Sequence, residues 1–255
     1  MSEKTLIGMV HLEALPGAPL FKGLQPCAEK AVNDAKTIEQ GGFSAIMIEN
    51  FGDTPFFPGR VPTETVAAFT HIAGQIKREV NIPIGINVLR NDGLSALAIA
   101  KAVGAEFVRI NILTGSRVTD QGLISANAHE ILRYRKSLDA ENIKIFADID
   151  VKHSAPIAKI DLETEIEDTV KRGLADALVV SGAGTGKPVD QDFLKSIKNF
   201  ATVPVYIGSG ANKSNIKDLL RTANGAIIGS SLKPSISEPI DLEQVKKIAR
   251  AAGIN

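Results

Sequence analysis

One cysteine, Cys27, is the whole thiol content of the 255-residue sequence. That excludes an internal disulfide framework and a cysteine-rich metal site, and it suits a reducing cytoplasm. Cys27 is also a poor nucleophile, since it stands where a helix is about to begin with no histidine close in sequence. Net charge is missing too: 29 basic residues balance 29 acidic ones. No broad field draws the chain to nucleic acid or to an anionic membrane, and nucleic-acid binding is not expected. No apolar run approaches the roughly 18 residues of a membrane helix, and no basic-then-apolar leader opens the chain. The expectation is a cytoplasmic protein without a membrane span, with peripheral membrane contact left open. Two nucleotide signatures are absent as well. The first apolar run leads into His11-Leu12-Glu13-Ala14-Leu15-Pro16-Gly17 rather than GxGxxG, and the glycine loop Ser181 to Lys187 meets Pro188 where a P-loop carries its Mg²⁺-binding hydroxyl. Dinucleotide-dependent redox chemistry and P-loop ATP hydrolysis are disfavoured, although the loop can still present N–H groups and Thr185 to a ligand.

What the sequence has in quantity is alternation. Short apolar, β-rich runs near 6–10, 45–48, 84–88, 107–112, 143–149, 177–180, 203–207 and 226–228 are separated by helical patterns near 27–41, 63–80, 94–103, 126–139, 163–172, 190–199, 213–221 and 241–252. Near-continuous apolar strands alternating with helices imply a parallel sheet covered by helices. Eight such units, without an antiparallel hairpin signal, predict a single (β/α)8 barrel domain over residues 1–255, close to the usual size of that fold. Its last two units carry the densest signal. The seventh run stops at Gly208-Ser209-Gly210, with a helix expected to open near Asn212 or Lys213, and the eighth stops at Gly229-Ser230. Glycines let backbone N–H groups approach an anion, and helix starts leave donors unpaired. These five residues are the expected phosphate site.

In a barrel the C-terminal strand ends form one mouth. The polar ends here are His11, Glu49 with Asn50, Asn87 with Arg90, Arg109 and Asn111, Asp148 and Asp150 followed by Lys152 and His153, and Ser181. Strand alternation puts Asp148, Asp150 and Lys152 on one face. Three chemistries fit this set. Lys152 is a charged clamp or an imine-forming amine; Asp148, Asp150 and Glu49 are ligands for a hard divalent ion such as Mg²⁺; or His11, His153 or a carboxylate moves protons without a metal. Glu49, Arg109, Asp148, Lys152, His153 and His11 are therefore the candidate catalytic residues, with Asn50, Asn87, Asn111, Asp150, Ser181 and Thr185 as substrate contacts. The aromatic, proline-bearing loop from Phe51 to Gly59, with Phe56 and Phe57, reads either as a substrate wall or lid or as the contact of a homo-oligomer. The polar stretch Arg117 to Gly122 reads equally as a substrate contact or a solvated turn.

GMVHLEALPG, IENFGDTPF, GINVLRND, RINILTGSRVTDQG, ADIDVKHSAP, SGAGTGKP and GSGANKSN, in this order, resemble the BtpA family of phosphate-binding barrels. The likeness runs over almost the whole chain and touches nearly every strand-to-helix loop. It implies the barrel fold, and it implies that His11, Glu49, Asn50, Asp53, Asn87, Arg90, Asn91, Asp92, Arg109, Asn111, Asp148, Lys152, His153, Thr185, Ser209 and Gly210 lie in family motifs, without giving each a role. The family takes its name from a factor needed for photosystem I accumulation, while similar proteins occur in organisms without photosynthesis. The expected function is an isomerase or lyase acting on a small phosphorylated metabolite, either a sugar phosphate or nucleotide-derived. The alternative is a non-enzymatic assembly factor that uses the barrel to bind a ligand or partner.

Overall fold

The structure, a computed structural model, describes residues 4–151, 153–182, 189–235 and 238–254. Eight parallel strands close into a barrel: β1 (Thr5–His11), β2 (Ala45–Glu49), β3 (Ile84–Asn87), β4 (Phe107–Ile110), β5 (Lys144–Ile149), β6 (Ala177–Val180), β7 (Val205–Ile207) and β8 (Gly225–Ile228), with β8 pairing back onto β1. The helices between them are α1 (Leu24–Gln40), α2 (Thr63–Glu79), α3 (Gly93–Val103), α4 (Ala128–Ser137), α5 (Leu162–Glu167), α6 (Gln191–Phe200), α7 (Ile216–Thr222) and α8 (Leu242–Ala251). Among the described residues, no helix is long and apolar enough to cross a membrane.

Each strand divides its side chains between two cores. Leu6, Val10, Ile46, Ile48, Ile84, Ile86, Val108 and Ile110 face the helices and join the larger cluster, whereas Ile7, Met9, Ala45, Met47, Phe107, Phe146, Val179 and Ile227 fill the barrel. The rings of Phe107, Phe146 and Tyr206 stack across the interior, with successive centroids 4.9 Å apart. They fit because Gly85 has no side chain; a Cβ there would lie 2.1 Å from the Phe107 ring. The interior is thus packed solid below, and polar residues are admitted only at the strand ends.

Aspartates set several helix starts: Asp92 accepts from the Ser95 N–H, Asp161 from Thr164, Asp190 from Phe193 and Asp241 from Gln244. Each satisfies a donor that the first helical turn leaves open. After α5 the chain continues as a π-helical turn, Asp168–Arg172.

Three local features depart from the sequence expectation. The connection after β4 contains an antiparallel ribbon, Ser116–Thr119 with Gly122–Ser125, joined by Ser154–Pro156 from the connection after β5. The run RVTDQGLIS carries that signal, two short β-rich stretches about a Gly-bearing turn. The helix after the Gly208-Ser209-Gly210 loop starts later than Lys213, at Ile216, because Asn212 and Asn215 close a turn of their own: Asn215 accepts from the Asn212 N–H and donates to the Gly210 carbonyl. Gly229 is followed by a 3-10 turn, Ser230–Leu232.

Candidate functional site

The inward alternation that packs the barrel also selects the residues at its mouth. His11, Glu49, Asn87 and Arg109 are register partners across β1, β2, β3 and β4, so they share one face. Continuing the inward positions around the barrel gives Asp148, two beyond Phe146, then Ser181, Gly208 and Gly229. A cavity of about 240 Å³ opens above them. Its wall includes His11, Glu49, Arg109, Asn111 and His153, together with all five expected phosphate residues, Gly208, Ser209, Gly210, Gly229 and Ser230. Lys152 and Thr185, also expected here, lie outside the described residues.

Arg109 and Asp148 form the electrostatic base of the site. The guanidinium donates from Nε at 2.7 Å and Nη2 at 2.8 Å to the two carboxylate oxygens, and Asn111 Nδ2 adds a third bond to Asp148 at 3.1 Å. Burial works against the Arg109 charge, but Asp148, by charge and hydrogen bonds, with Glu49 adding to it, raises its pKa above the ordinary value. Arg109 is therefore a fixed cation at the cavity. Both Asp148 oxygens accept these bonds, which fix the positions of Arg109 and Asn111. Asn87 stands behind, donating to the Arg109 carbonyl and to Asn111 Oδ1.

His11 and Glu49 face each other with Nε2 and Oε1 3.8 Å apart. The His11 ring lies against the second phosphate loop, where a Cβ on Gly229 would come within 2.7 Å of its Cε1. Gly208 is similarly constrained: a Cβ there would meet Ser181 Oγ at 2.6 Å and Arg109 Nη2 at 3.3 Å. Glycine at both positions lets the expected phosphate loops sit directly on the catalytic candidates. Among the described residues, the N–H groups of Ser209, Gly210, Ala211 and Ser230 have no acceptor, and the buried hydroxyls of Ser209 and Ser181 have no hydrogen-bond partner. Ser209 and Ala211 are buried, Gly210 is half-buried and Ser230 is exposed; open loop N–H groups beside two unpartnered buried hydroxyls are an arrangement that an anion could satisfy. α7 begins too late and is too short to add its N-terminus to these loops.

Other expected residues take supporting places. Asn50 fastens the chain after β3, accepting from the Leu89 N–H at 2.7 Å and donating to Asp53 at 2.9 Å. Asp53 in turn accepts from the Leu15 N–H; burial raises its pKa against those bonds. Asp150 corrects the alternation reading. β5 ends at Ile149 and Asp150 adopts a left-handed φ of 50°, which turns its exposed carboxylate to Arg117 at 2.5 Å instead of toward Asp148. The expected trio of Glu49, Asp148 and Asp150 is not brought together. Among the described residues, no cluster of three or more His, Cys, Asp or Glu side chains suits a metal ion.

Arg90, Phe51, Phe56 and Asp120 also line the wall. Phe51 packs edge-on to His11, centroids 4.9 Å apart, and Phe56 lies 6.3 Å from Phe51. Phe56 is half-buried and only Phe57 is exposed, so the loop supplies a cavity wall with one of its two adjacent rings. Asp120 comes from the turn of the antiparallel ribbon, which brings that ribbon over the mouth. Arg117 ties the ribbon down through Ser154 and Glu165.

The matching family model covers residues 2–253 and is described as the BtpA family. The chain belongs to the BtpA family. Among its relatives in that family, an uncharacterised protein of Thermococcus kodakarensis is 47% identical over 252 residues, 98% of this chain and 95% of that one. The photosystem I biogenesis protein BtpA of Synechocystis is 46% identical over 250 residues, 96% of this chain and 87% of its own length. By structure, the BtpA-family chain is similar to N-(5'-phosphoribosyl)anthranilate isomerase from Pyrococcus furiosus, with a TM-score of 0.61, 11% identity and coverage of 98% and 99% of the two chains. That likeness establishes the shared barrel fold.

Two buried groups outside the cavity were not singled out as sites by the sequence. Burial pushes the Cys27 thiol up to about 11, so it is held protonated at neutral pH. Lys233, just past the 3-10 turn, is 5% exposed and its Nζ has no hydrogen-bond partner among the described residues. Burial, with Lys30 adding, lowers its pKa against the pull of Asp34 and Glu13. The folded protein thus binds this proton less tightly than the unfolded chain does. The penalty is full below the folded pKa and vanishes as pH rises past the ordinary lysine value. Lys233→Met is expected to stabilise the protein by roughly 1 kcal/mol at pH 7 and by less at pH 10, read by denaturant melts at both.

Proposed function

We propose that this chain is an enzyme of the isomerase or lyase type acting on a small phosphorylated metabolite. The observation that carries the reading is the set of open backbone donors at Ser209, Gly210, Ala211 and Ser230 on the same cavity as the His11–Glu49 pair. The loops hold the phosphate. Arg109 and Asn111 polarise an oxygen on the reacting end, because their positions are locked by Asp148. Glu49 removes a proton from the carbon beside that carbonyl while His11 delivers one to the carbonyl oxygen, forming an enediol. When Glu49 returns its proton to the former carbonyl carbon and His11 takes back the proton of the other enediol hydroxyl, a new carbonyl forms on the neighbouring carbon and the isomerisation of an α-hydroxy carbonyl compound is complete. A small cavity with both hydrogen-bonding and apolar walls suits a metabolite rather than a dinucleotide.

The test is a thermal-shift series of phosphorylated sugars and nucleotides against wild-type protein and Ser209→Asp. A ligand at about 100 times its Kd stabilises by about 2.7 kcal/mol, which a melt resolves. The expected result is a shift with phosphate monoesters that Ser209→Asp abolishes; equal shifts in both proteins would remove the phosphate loops from the account. The Synechocystis relative's name supports a second reading, an assembly factor that binds such a ligand without turning it over. Binding without any turnover across the series would favour it.

A further inference from the structure

A second cavity, about 340 Å³, lies beside the first. Phe56 and Leu89 line both, so two side chains form their common wall. Most of the remaining lining is apolar and stiff: Pro19, Pro55, Pro58 and Pro62 fix the backbone, with Phe57 and Val61 between them. Asn50, Asp53 and Thr65 also reach this cavity; the side-chain polar atoms of Asn50 and Asp53 are taken, which leaves the Thr65 hydroxyl as its open polar side-chain group. Asp53 receives hydrogen bonds from the Leu15 N–H and from Asn50, and Asn50 receives one from the Leu89 N–H. The same bonds hold the walls in place, so the cavity is preformed. A charged group entering it would lose its hydration with only the Thr65 hydroxyl to replace it, whereas a hydrocarbon group would gain by leaving water.

We propose that this cavity is a subsite for an apolar arm, aliphatic or aryl, of a ligand whose phosphate sits on the Ser209 and Ser230 loops. The inference rests on the phosphate reading above and narrows it. The ligand is a phosphate monoester with one hydrocarbon arm and no second charge at its far end, the arm passing over Phe56.

Calorimetric titration with inorganic phosphate, methyl phosphate and hexyl phosphate separates the possibilities. Each methylene that reaches the subsite should tighten binding about fourfold, so hexyl phosphate should bind at least about tenfold tighter than methyl phosphate. Phe57→Asp puts a charge on the rim of the second cavity alone and should erase most of that gain with methyl phosphate affinity unchanged. Equal affinity for the two esters in wild-type protein would overturn the subsite and leave the phosphate site standing. Failure of all three to bind would remove the phosphate site itself. If Phe57→Asp instead alters the oligomeric state and leaves the hexyl advantage intact, the cavity is a contact between chains and the proposal is wrong.

Discussion

Asp148→Ala is expected to destabilise the protein by about 3–5 kcal/mol, a fall in melting temperature of roughly 6–20 °C for a chain of this size. The cause is the partner left behind. Arg109 is 3% exposed, and two of its donors end on Asp148, so removing the carboxylate leaves a guanidinium in the barrel without its counter-charge. Asn111 loses an acceptor in the same step. Read from the strand end alone, Asp148 would be a reactive carboxylate whose loss stops turnover and spares the fold; the buried pairing reverses the second half of that expectation. Replacing both partners by apolar residues, Arg109→Met with Asp148→Leu, should recover much of the loss, because no unpaired charge remains. Denaturant melts of the single and double variants check this. A single variant that unfolds like the wild type would show that Arg109 finds another anion.

The second large effect is on turnover. Glu49→Gln keeps the side chain's shape in its buried place but removes the base, and with an identified substrate it should lower kcat by about 10²–10⁴. His11→Asn should act on the same step, so the double variant should be little worse than either single one. Neither change strips a charge from the Arg109–Asp148 pair, and both proteins should melt near the wild type. A Glu49→Gln enzyme with full kcat would remove Glu49 from the chemistry while leaving the binding loops untouched.

Much of this was legible because a barrel reduces to two simple periodicities. Period-two alternation, combined with the location of the last inward residue on each strand, picks out His11, Glu49, Asn87, Arg109, Asp148, Ser181, Gly208 and Gly229 without coordinates. It fails where a strand stops. The left-handed turn at Asp150 is set by the neighbouring ribbon and Arg117, and no local pattern announces it. Partnership is equally invisible in one dimension: Arg109 and Asp148 are separated by 39 residues, and only closure of β4 against β5 joins them. Asp120 was readable only as a polar turn residue, because its place at the mouth depends on a ribbon that folds back over the barrel. Asn212 and Asn215 show a finer limit, since a side-chain turn delayed α7 by three residues and left the open N–H groups in the loop rather than at a helix start.

The loop N–H groups of Ser209, Gly210, Ala211 and Ser230 are the proposed phosphate ligands. Titrating methyl phosphate into ¹⁵N-labelled protein and following backbone amide shifts reads those donors directly. The account predicts that these four amides move most and together, with one saturation curve, and that they stay still in Ser209→Asp. Amide shifts confined to other parts of the chain, or none at all, would contradict it.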